Sequence, residues 1–393
     1  MIILLTAILL ILNLITGYLV VIGFFLFKKR KPYPAVSPNI RYAVVIPARN
    51  EASVIGNLVH ALNRQDYPRE LYDVYVAVNH CTDDTARVAE AAGARVIQCS
   101  DRVRCKGDVL HEVVELLLPQ RYDAFAVFDA DNVPAPDFLQ RMNDALNASE
   151  RVCKCCLRGS NPSESWVSGG YSLWHTMMEW TYSRACTAAG FSSNLVGTGF
   201  VIHREVLDKL GGWNTTTMCE DTEILAQSTL LGHRVAWVAE AVSLDEQVAD
   251  FGVSLYQRHR WCYGMIQCAR KYGLQMFSRK NPRPGMARNL GMLFLISHTQ
   301  PVLLLLSLLL MILRPEMILL SLPGLVLSYL GLLVSALILC YLGKHPTRRM
   351  LPAIFMFPLY MASWIPVQVL ALFVPVRRWR PVIHKGAEIH EPL

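Results

Sequence analysis

No Gly-x-Gly-x-x-Gly follows the first predicted strand, and no Walker loop occurs anywhere in the 393 residues. Their absence argues against a dinucleotide cofactor and a P-loop nucleotide, so any nucleotide has to be held by side chains and a metal. The patch Cys153, Cys155 and Cys156 lacks a second half with zinc-ligand spacing, which leaves these as ordinary strand residues. The 11 cysteines are scattered through predicted strands, helices and apolar segments and form no disulfide framework, as suits reduced thiols in a cytosolic compartment. No basic residue precedes the apolar run 2–27 and no small-residue cleavage pattern ends it, so a retained transmembrane helix fits better than a cleaved signal peptide. Charges are sparse inside the apolar runs, which argues against a transporter or binding protein built around an intramembrane path.

Apolar surface, by contrast, is abundant. The hydrophobic fraction is 53% and its excess gathers at both ends of the chain, in runs long enough to cross a bilayer. The net charge of +7 sits largely beside those runs, where anionic headgroups and topology account for it, so membrane lipids are expected partners and nucleic acid is not. The segment 1–31 reads as an anchor closed by Lys28, Lys29, Arg30 and Lys31, placing the chain beyond it in the cytosol. Pro32, Pro34 and Pro38 then make a short stiff linker.

From 39 to 250 short β-branched runs alternate with helical stretches, the pattern of an α/β, doubly wound sheet. Strands are predicted at 42–46, 74–78, 95–98 and 200–203, and helices at 52–64, 107–118 and 222–231. The centre of the pattern is Val127-Phe128-Asp129-Ala130-Asp131-Asn132. Four apolar residues, 125–128, run directly into two carboxylates, as in a buried strand delivering Asp129 and Asp131 to its C-terminal edge. That edge is where ligands sit in open α/β sheets, and two oxygen donors there suit a hard divalent cation, Mg2+ or Mn2+, bridging a phosphate ligand.

Beyond the sheet, 251–285 mixes Arg258, Arg260, Arg270 and Lys271 with Trp261 and Met265, as in a basic amphipathic helix lying in a headgroup layer. Arg270 and Lys271 are read as its solvated face. Apolar segments near 290–313, 317–342 and 351–374 fill a C-terminal membrane region 286–376 and, with the N-terminal helix, bring the expected spans to about four. Pro352, Pro358 and Pro366 break the last of them, which leaves the side of the basic tail 377–393 open.

Val45-Ile46-Pro47-Ala48-Arg49-Asn50-Glu51, the loop 79–85, Lys106-Gly107, Asp129-Ala130-Asp131, Glu220-Asp221 and Gln257-Arg258-His259-Arg260-Trp261 succeed one another in the order seen in membrane-embedded family 2 glycosyltransferases. The chain resembles the branch containing cellulose, chitin, hyaluronan and poly-N-acetylglucosamine synthases. The resemblance implies a GT-A fold using a nucleotide-activated sugar, usually a UDP sugar. It assigns Pro47, Glu51, Asn79, Asp83 and Lys106 to the nucleotide pocket, with Asn in place of a frequent Asp at position 79. Asp131 is the first choice for the metal, with Asp129 as a further metal or ribose contact.

Asp221, ahead of the helix 222–231, is the expected base that takes the acceptor proton, with Glu220 beside it on the acceptor side. Cys219 stands where the family carries Thr. Arg260 is expected on the diphosphate and Gln257 and Trp261 at the acceptor sugar. One base and no second carboxylate nucleophile imply inversion. The loop 194–199 resembles the acceptor-side loop or is a tight turn, Gly211-Gly212-Trp213 is structural, and Trp166, Tyr171, Trp174 and Trp180 pack a helix on the sheet or stack sugar rings. The activity expected is extension of a β-linked polysaccharide at the membrane. A single transfer to a lipid-linked or other membrane acceptor uses the same motifs.

Overall fold

β-Branched and aromatic residues alternate through the first strand, and the alternation sorts them onto two faces. Tyr42, Val44 and Ile46 enter one buried cluster, whereas Ala43 and Val45 enter the other. The computed structural model describes residues 2–376, so the basic tail 377–393 lies outside the described residues. Eight strands among them form one sheet: β1 Tyr42–Ala48, β2 Tyr72–Val78, β3 Arg95–Gln98, β4 Ala124–Val127, β5 Val133–Pro134, β6 Val152–Gly159, β7 Phe200–His203 and β8 Val235–Asp245. Their order is β3-β2-β1-β4-β7-β6-β8-β5.

The first four strands in that order are parallel, with Tyr42 opposite both Tyr72 and Ala124. β7 then runs antiparallel to both β4 and β6, while β6 and β8 are parallel. The expected doubly wound half is present, and an antiparallel extension continues it. Cys153 and Cys155 are buried in β6 as core residues, and no group of three His, Cys, Asp or Glu side chains able to hold a metal occurs among the described residues.

Helices α2 Ile55–Asn63, α3 Thr85–Ala91, α4 Lys106–Leu117 and α5 Phe138–Asn147 cover the sheet. They come after α1 Ile2–Gly23, the first apolar helix. Further along come α6 Trp166–Met177, continued by a π-helical turn over Met178–Ser183, then α7 Arg184–Ala189, α8 Arg204–Leu210 and α9 Glu220–Leu230. The last five are α10 Phe251–Met276, α11 Pro284–Leu313, α12 Glu316–Leu342, α13 Thr347–Ala362 and α14 Trp364–Phe373. Among the described residues four helical segments, Thr6–Phe27, Pro284–Leu313, Ser321–Leu342 and Thr347–Phe373, are long and apolar enough to cross a membrane. The last is interrupted at Ser363, just ahead of Pro366, whose missing N–H and ring disfavour the preceding turn.

α10 departs from the expected headgroup helix. Arg258 is fully buried, stacked 4.8 Å from the Tyr360 ring and 5.2 Å from Trp364, and donates to Ser363 Oγ at 2.8 Å. A guanidinium so placed ties α10 to the junction of α13 and α14, where planar stacking and hydrogen bonding replace water.

Candidate active site

Three loops leave the C-terminal edge of the parallel strands and lock onto one another. Asn50, with φ 59°, accepts the Thr82 N–H at 2.8 Å, joining the loops after β1 and β2. Asn79 uses its amide nitrogen to reach Ala48 O at 3.1 Å, which turns its Oδ1 outward as an acceptor. Pro47, Glu51 and Asn79 all line a cavity of about 460 Å3. Asp83 does not. Its carboxylate accepts from Ala52 N and from both Thr85 N and Thr85 Oγ1, so it starts α3 and shapes the loop without reaching the cavity.

β4 delivers Asp129 and Asp131 as its hydrophobic run implies. Asp129 N donates to Thr198 Oγ1 at 2.8 Å, and its carboxylate lies 2.5 Å from Lys106 Nζ, which also reaches Gly197 O. Burial alone would lower the Lys106 pKa, but Asp129 and Glu220 outweigh it and hold the ammonium above the ordinary lysine value. Asp131 accepts the Glu246 N–H at 3.2 Å.

Asp245, unremarked in the sequence, ends β8 on the same wall. It accepts from Asn132 Nδ2 at 2.8 Å and from Gln247 Nε2 at 2.6 Å. Burial, then repulsion from Asp131 and Asp129, pushes its pKa well up. An oxygen-only donor set under like-charge pressure fits a hard divalent cation that takes its remaining ligands from phosphate and water. Asp131 and Asp129 are the residues that would hold it.

Glu220 and Asp221 open α9, where the helix N-terminus favours carboxylates. Asp221 faces the same cavity and accepts from Thr222 N at 2.6 Å. Burial, together with the neighbouring Glu220 charge, pushes its pKa up to about 7, close to what a general base at neutral pH requires. The turn ahead of it rests on α10. A Cβ added to Gly264 would lie 2.4 Å from Cys219 Sγ and 2.9 Å from Cys219 N. Gly264→Ala therefore has to push the turn carrying Asp221. A misplacement near 1 Å costs about 10²-fold in rate, so a fall in kcat of that order is expected in steady-state assays, with little change in donor KM.

The turn is also tied from behind. Glu223, fully buried, accepts from Thr216 N and Thr217 N at 2.7 Å each, from Lys271 Nζ at 2.6 Å and from Tyr272 OH at 2.8 Å. Burial opposes its ionised form, yet these donors keep its pKa below the ordinary value. Lys271 is exposed, as expected from the sequence, and is also an ion-pair partner, because α10 lies against α9. Glu223→Ala strands the buried donors and is expected to destabilise the protein by about 3 kcal/mol, read as a lowered unfolding temperature in detergent.

The far end of the cavity is built by α10 and the apolar helices. Gln257 accepts from Tyr171 OH at 2.8 Å, and Arg260 borders the cavity beside Asp221. Trp261 stacks on Trp174 at 6.1 Å and on Trp364 at 6.3 Å, and Trp174 on Trp364 at 5.3 Å. Trp174 therefore leaves the role expected for it in packing α6 on the sheet and joins the cavity wall, while Trp166 packs on Phe251 and Tyr171 is buried. Ser297 of α11 and Gln368 of α14 complete this end. Trp364, Gln368 and Ser297 gave no sequence signal, since each lies in an apolar segment. Asp245 did repeat the pattern of a strand leading into carboxylates.

One cavity thus brings together Pro47, Glu51, Asn79, Lys106, Asp129, Asp131, Glu220, Asp221, Gln257, Arg260 and Trp261, leaving out only Asp83 of the residues expected to bind the donor, metal or acceptor or to act as base.

Residues 38–264 match the family described as Glycosyltransferase like family 2. The probable glycosyltransferase YdaM of Bacillus subtilis is 23% identical over 266 residues, 62% of this chain and 59% of that protein. The beta-monoglucosyldiacylglycerol synthase of Nostoc is 28% identical over 237 residues, 57% of this chain and 49% of its own length. The chain therefore spans about half to three-fifths of the length of these relatives. The mannosyltransferase PcManGT of Pyrobaculum calidifontis, solved with GDP-Man and Mn2+, superposes with a TM-score of 0.65 at 20% identity over 94% of this chain and 99% of that one. The likeness shows a common GT-A fold.

Proposed function

The chain belongs to the Glycosyltransferase like family 2, and from that premise we propose that it moves one sugar from a nucleotide-activated donor, with inversion, onto a lipid-like acceptor entering from the membrane. One observation carries the reading. The cavity holding Asp129, Asp131 and Asp221 continues to Ser297 and Gln368, on helices long and apolar enough to cross a bilayer. An acceptor with an apolar tail has a natural approach there. The similarity to a synthase whose name specifies a diacylglycerol product supports the same acceptor class.

In the proposed mechanism Asp221 removes the proton of the acceptor hydroxyl as its oxygen attacks the anomeric carbon. The bond from that carbon to the diphosphate oxygen breaks on the opposite face, and the electron pair leaves with the diphosphate. Lys106 and Arg260 lie where they can balance the charge that develops. A divalent cation at Asp131 and Asp129, when bound, supplies Lewis-acid neutralisation of the same oxygens. Single displacement inverts the anomeric centre. Asn79 offers Oδ1 to a base N–H, and the family resemblance supports a UDP sugar as donor. The basic run Lys28 to Lys31 after the first span supports a catalytic domain on the cytosolic side.

Extension of a β-linked polysaccharide is the second reading, favoured by the layer of Trp174, Trp261 and Trp364, a surface on which sugar rings can stack. Purified protein given UDP- and GDP-sugars with diacylglycerol vesicles is expected to release nucleoside diphosphate and to label the lipid extract with one sugar. A ladder of products on gels would establish the polymer instead, and no release from any nucleotide sugar would overturn the transferase reading.

A further inference from the structure

A second cavity, of about 240 Å3, lies behind the first and has no part in the proposed transfer. Arg30 and Pro32, just past the first apolar span, form one side, and Leu342 and Gly343, at the end of α12, form another. The ends of two candidate spans thus meet at this cavity, which sets it at the depth where membrane gives way to the soluble domain. The remaining wall comes from the end of α6, β6, the π-helical turn, the start of α7 and β8, with Arg158, Glu179, Arg184, Trp237 and Glu240 among its polar groups.

Charge and hydrogen bonding in this wall are unbalanced in one direction. Arg30 is paired with Glu240 at 3.0 Å, and Glu179 with Lys154 at 2.7 Å. Among the described residues neither Arg158 nor Arg184 has a carboxylate partner. Among the described residues two buried N–H groups, Arg184 Nε and Trp237 Nε1, have no acceptor, and Trp237 is only 5% exposed. Leaving such buried donors without an acceptor is costly, so the cavity is built to receive one. Glu179 Oε2, equally unpartnered, calls for a donor beside it.

We propose that this cavity binds the phosphodiester of a hydroxyl-bearing headgroup, with Arg158, Arg184 and Trp237 on the phosphate and Glu179 on a headgroup hydroxyl. Guanidinium groups and an indole N–H are strong partners for phosphate oxygens. The volume lies below the about 300–1,000 Å3 of pockets that enclose a larger ligand and suits one headgroup. Basic pockets at the cytosolic ends of spans are typical places for anionic lipids. Phe24 and Phe27, exposed on the turn leading to Arg30, offer acyl chains an apolar path. The occupant is then an anionic lipid such as phosphatidylglycerol, although free glycerol phosphate carries the same chemistry.

Native mass spectrometry of the full chain in detergent tests the site with phosphatidylglycerol, phosphatidylcholine and glycerol phosphate. Phosphatidylglycerol is expected to bind in preference to phosphatidylcholine. Its affinity should fall about tenfold in Arg184→Gln and about threefold in Trp237→Phe, which keeps an aromatic side chain and loses the N–H together with the five-membered half of the indole. Unfolding temperatures without lipid check that both variants fold, and the milder Trp237→Phe carries the test if Arg184→Gln does not. Competition by glycerol phosphate, with no lipid preference, would keep the anion site and assign it to a soluble ligand. Equal binding of both lipids without such competition, or phosphatidylglycerol binding unchanged in both variants, would overturn the proposal.

Discussion

Asp221→Asn is expected to lower kcat by about 10²–10⁴-fold, the range a positioned general base contributes, while donor KM changes little. The amide keeps the size of the carboxylate and cannot take a proton. The pH profile sharpens the expectation. Burial and the Glu220 charge hold the Asp221 carboxyl up near about 7, and only its ionised form is a base, so wild-type activity should rise with pH through that value. The residual activity of the Asn protein should lack that limb.

Stability runs the other way. A carboxyl whose pKa is raised on folding favours the folded state at low pH, and that favour is lost as pH rises through the folded value. Above about pH 7, then, the Asn protein should unfold at the same temperature as wild type or higher. A variant that loses turnover and gains stability cannot be dismissed as misfolded. Activity within a fewfold of wild type would remove Asp221 from the role of base.

How far the site was legible depends on how local its signals are. Phe125 to Phe128 running into two carboxylates announces strand and site at once, because four apolar residues in sequence have only a buried strand to occupy here. β8 was not legible in the same way. Its alternation is broken by Glu240, whose partner Arg30 lies 210 residues away, so Asp245 at its end repeats the strand-into-carboxylate pattern only weakly. Asp83 sits in a family loop, yet its oxygens are taken by Ala52 and Thr85, a matter of loop closure that motif order does not carry. The stack of Trp174, Trp261 and Trp364 joins three helices, and periodicity within any one of them is blind to the other two. The same holds for Lys271, exposed by its own helical phase and paired only because α9 lies beside it.

Asp131→Ala is expected to remove transfer and hydrolysis of the donor together, by at least about 10²–10³-fold, the cost of losing one preorganised stabiliser of developing charge. The two carboxylates of this edge are not equivalent. Asp129 is already engaged by Lys106 at 2.5 Å, so much of its charge is balanced within the protein. Asp131 receives the Glu246 backbone N–H at 3.2 Å and lies close enough to Asp245 to raise its pKa. Removing Asp131 relieves that repulsion, so Asp245 should ionise more readily and the folded protein should lose none of its stability near neutral pH. Metal titrations then separate the two acids. Residual activity of the Asp131→Ala protein should demand far more Mg2+ or Mn2+, whereas the Asp221→Asn protein should keep the wild-type midpoint at lower turnover. A shared midpoint in all three proteins would mean that Asp131 does not hold the cation, and Asp129 with Asp245 would be the pair to test next.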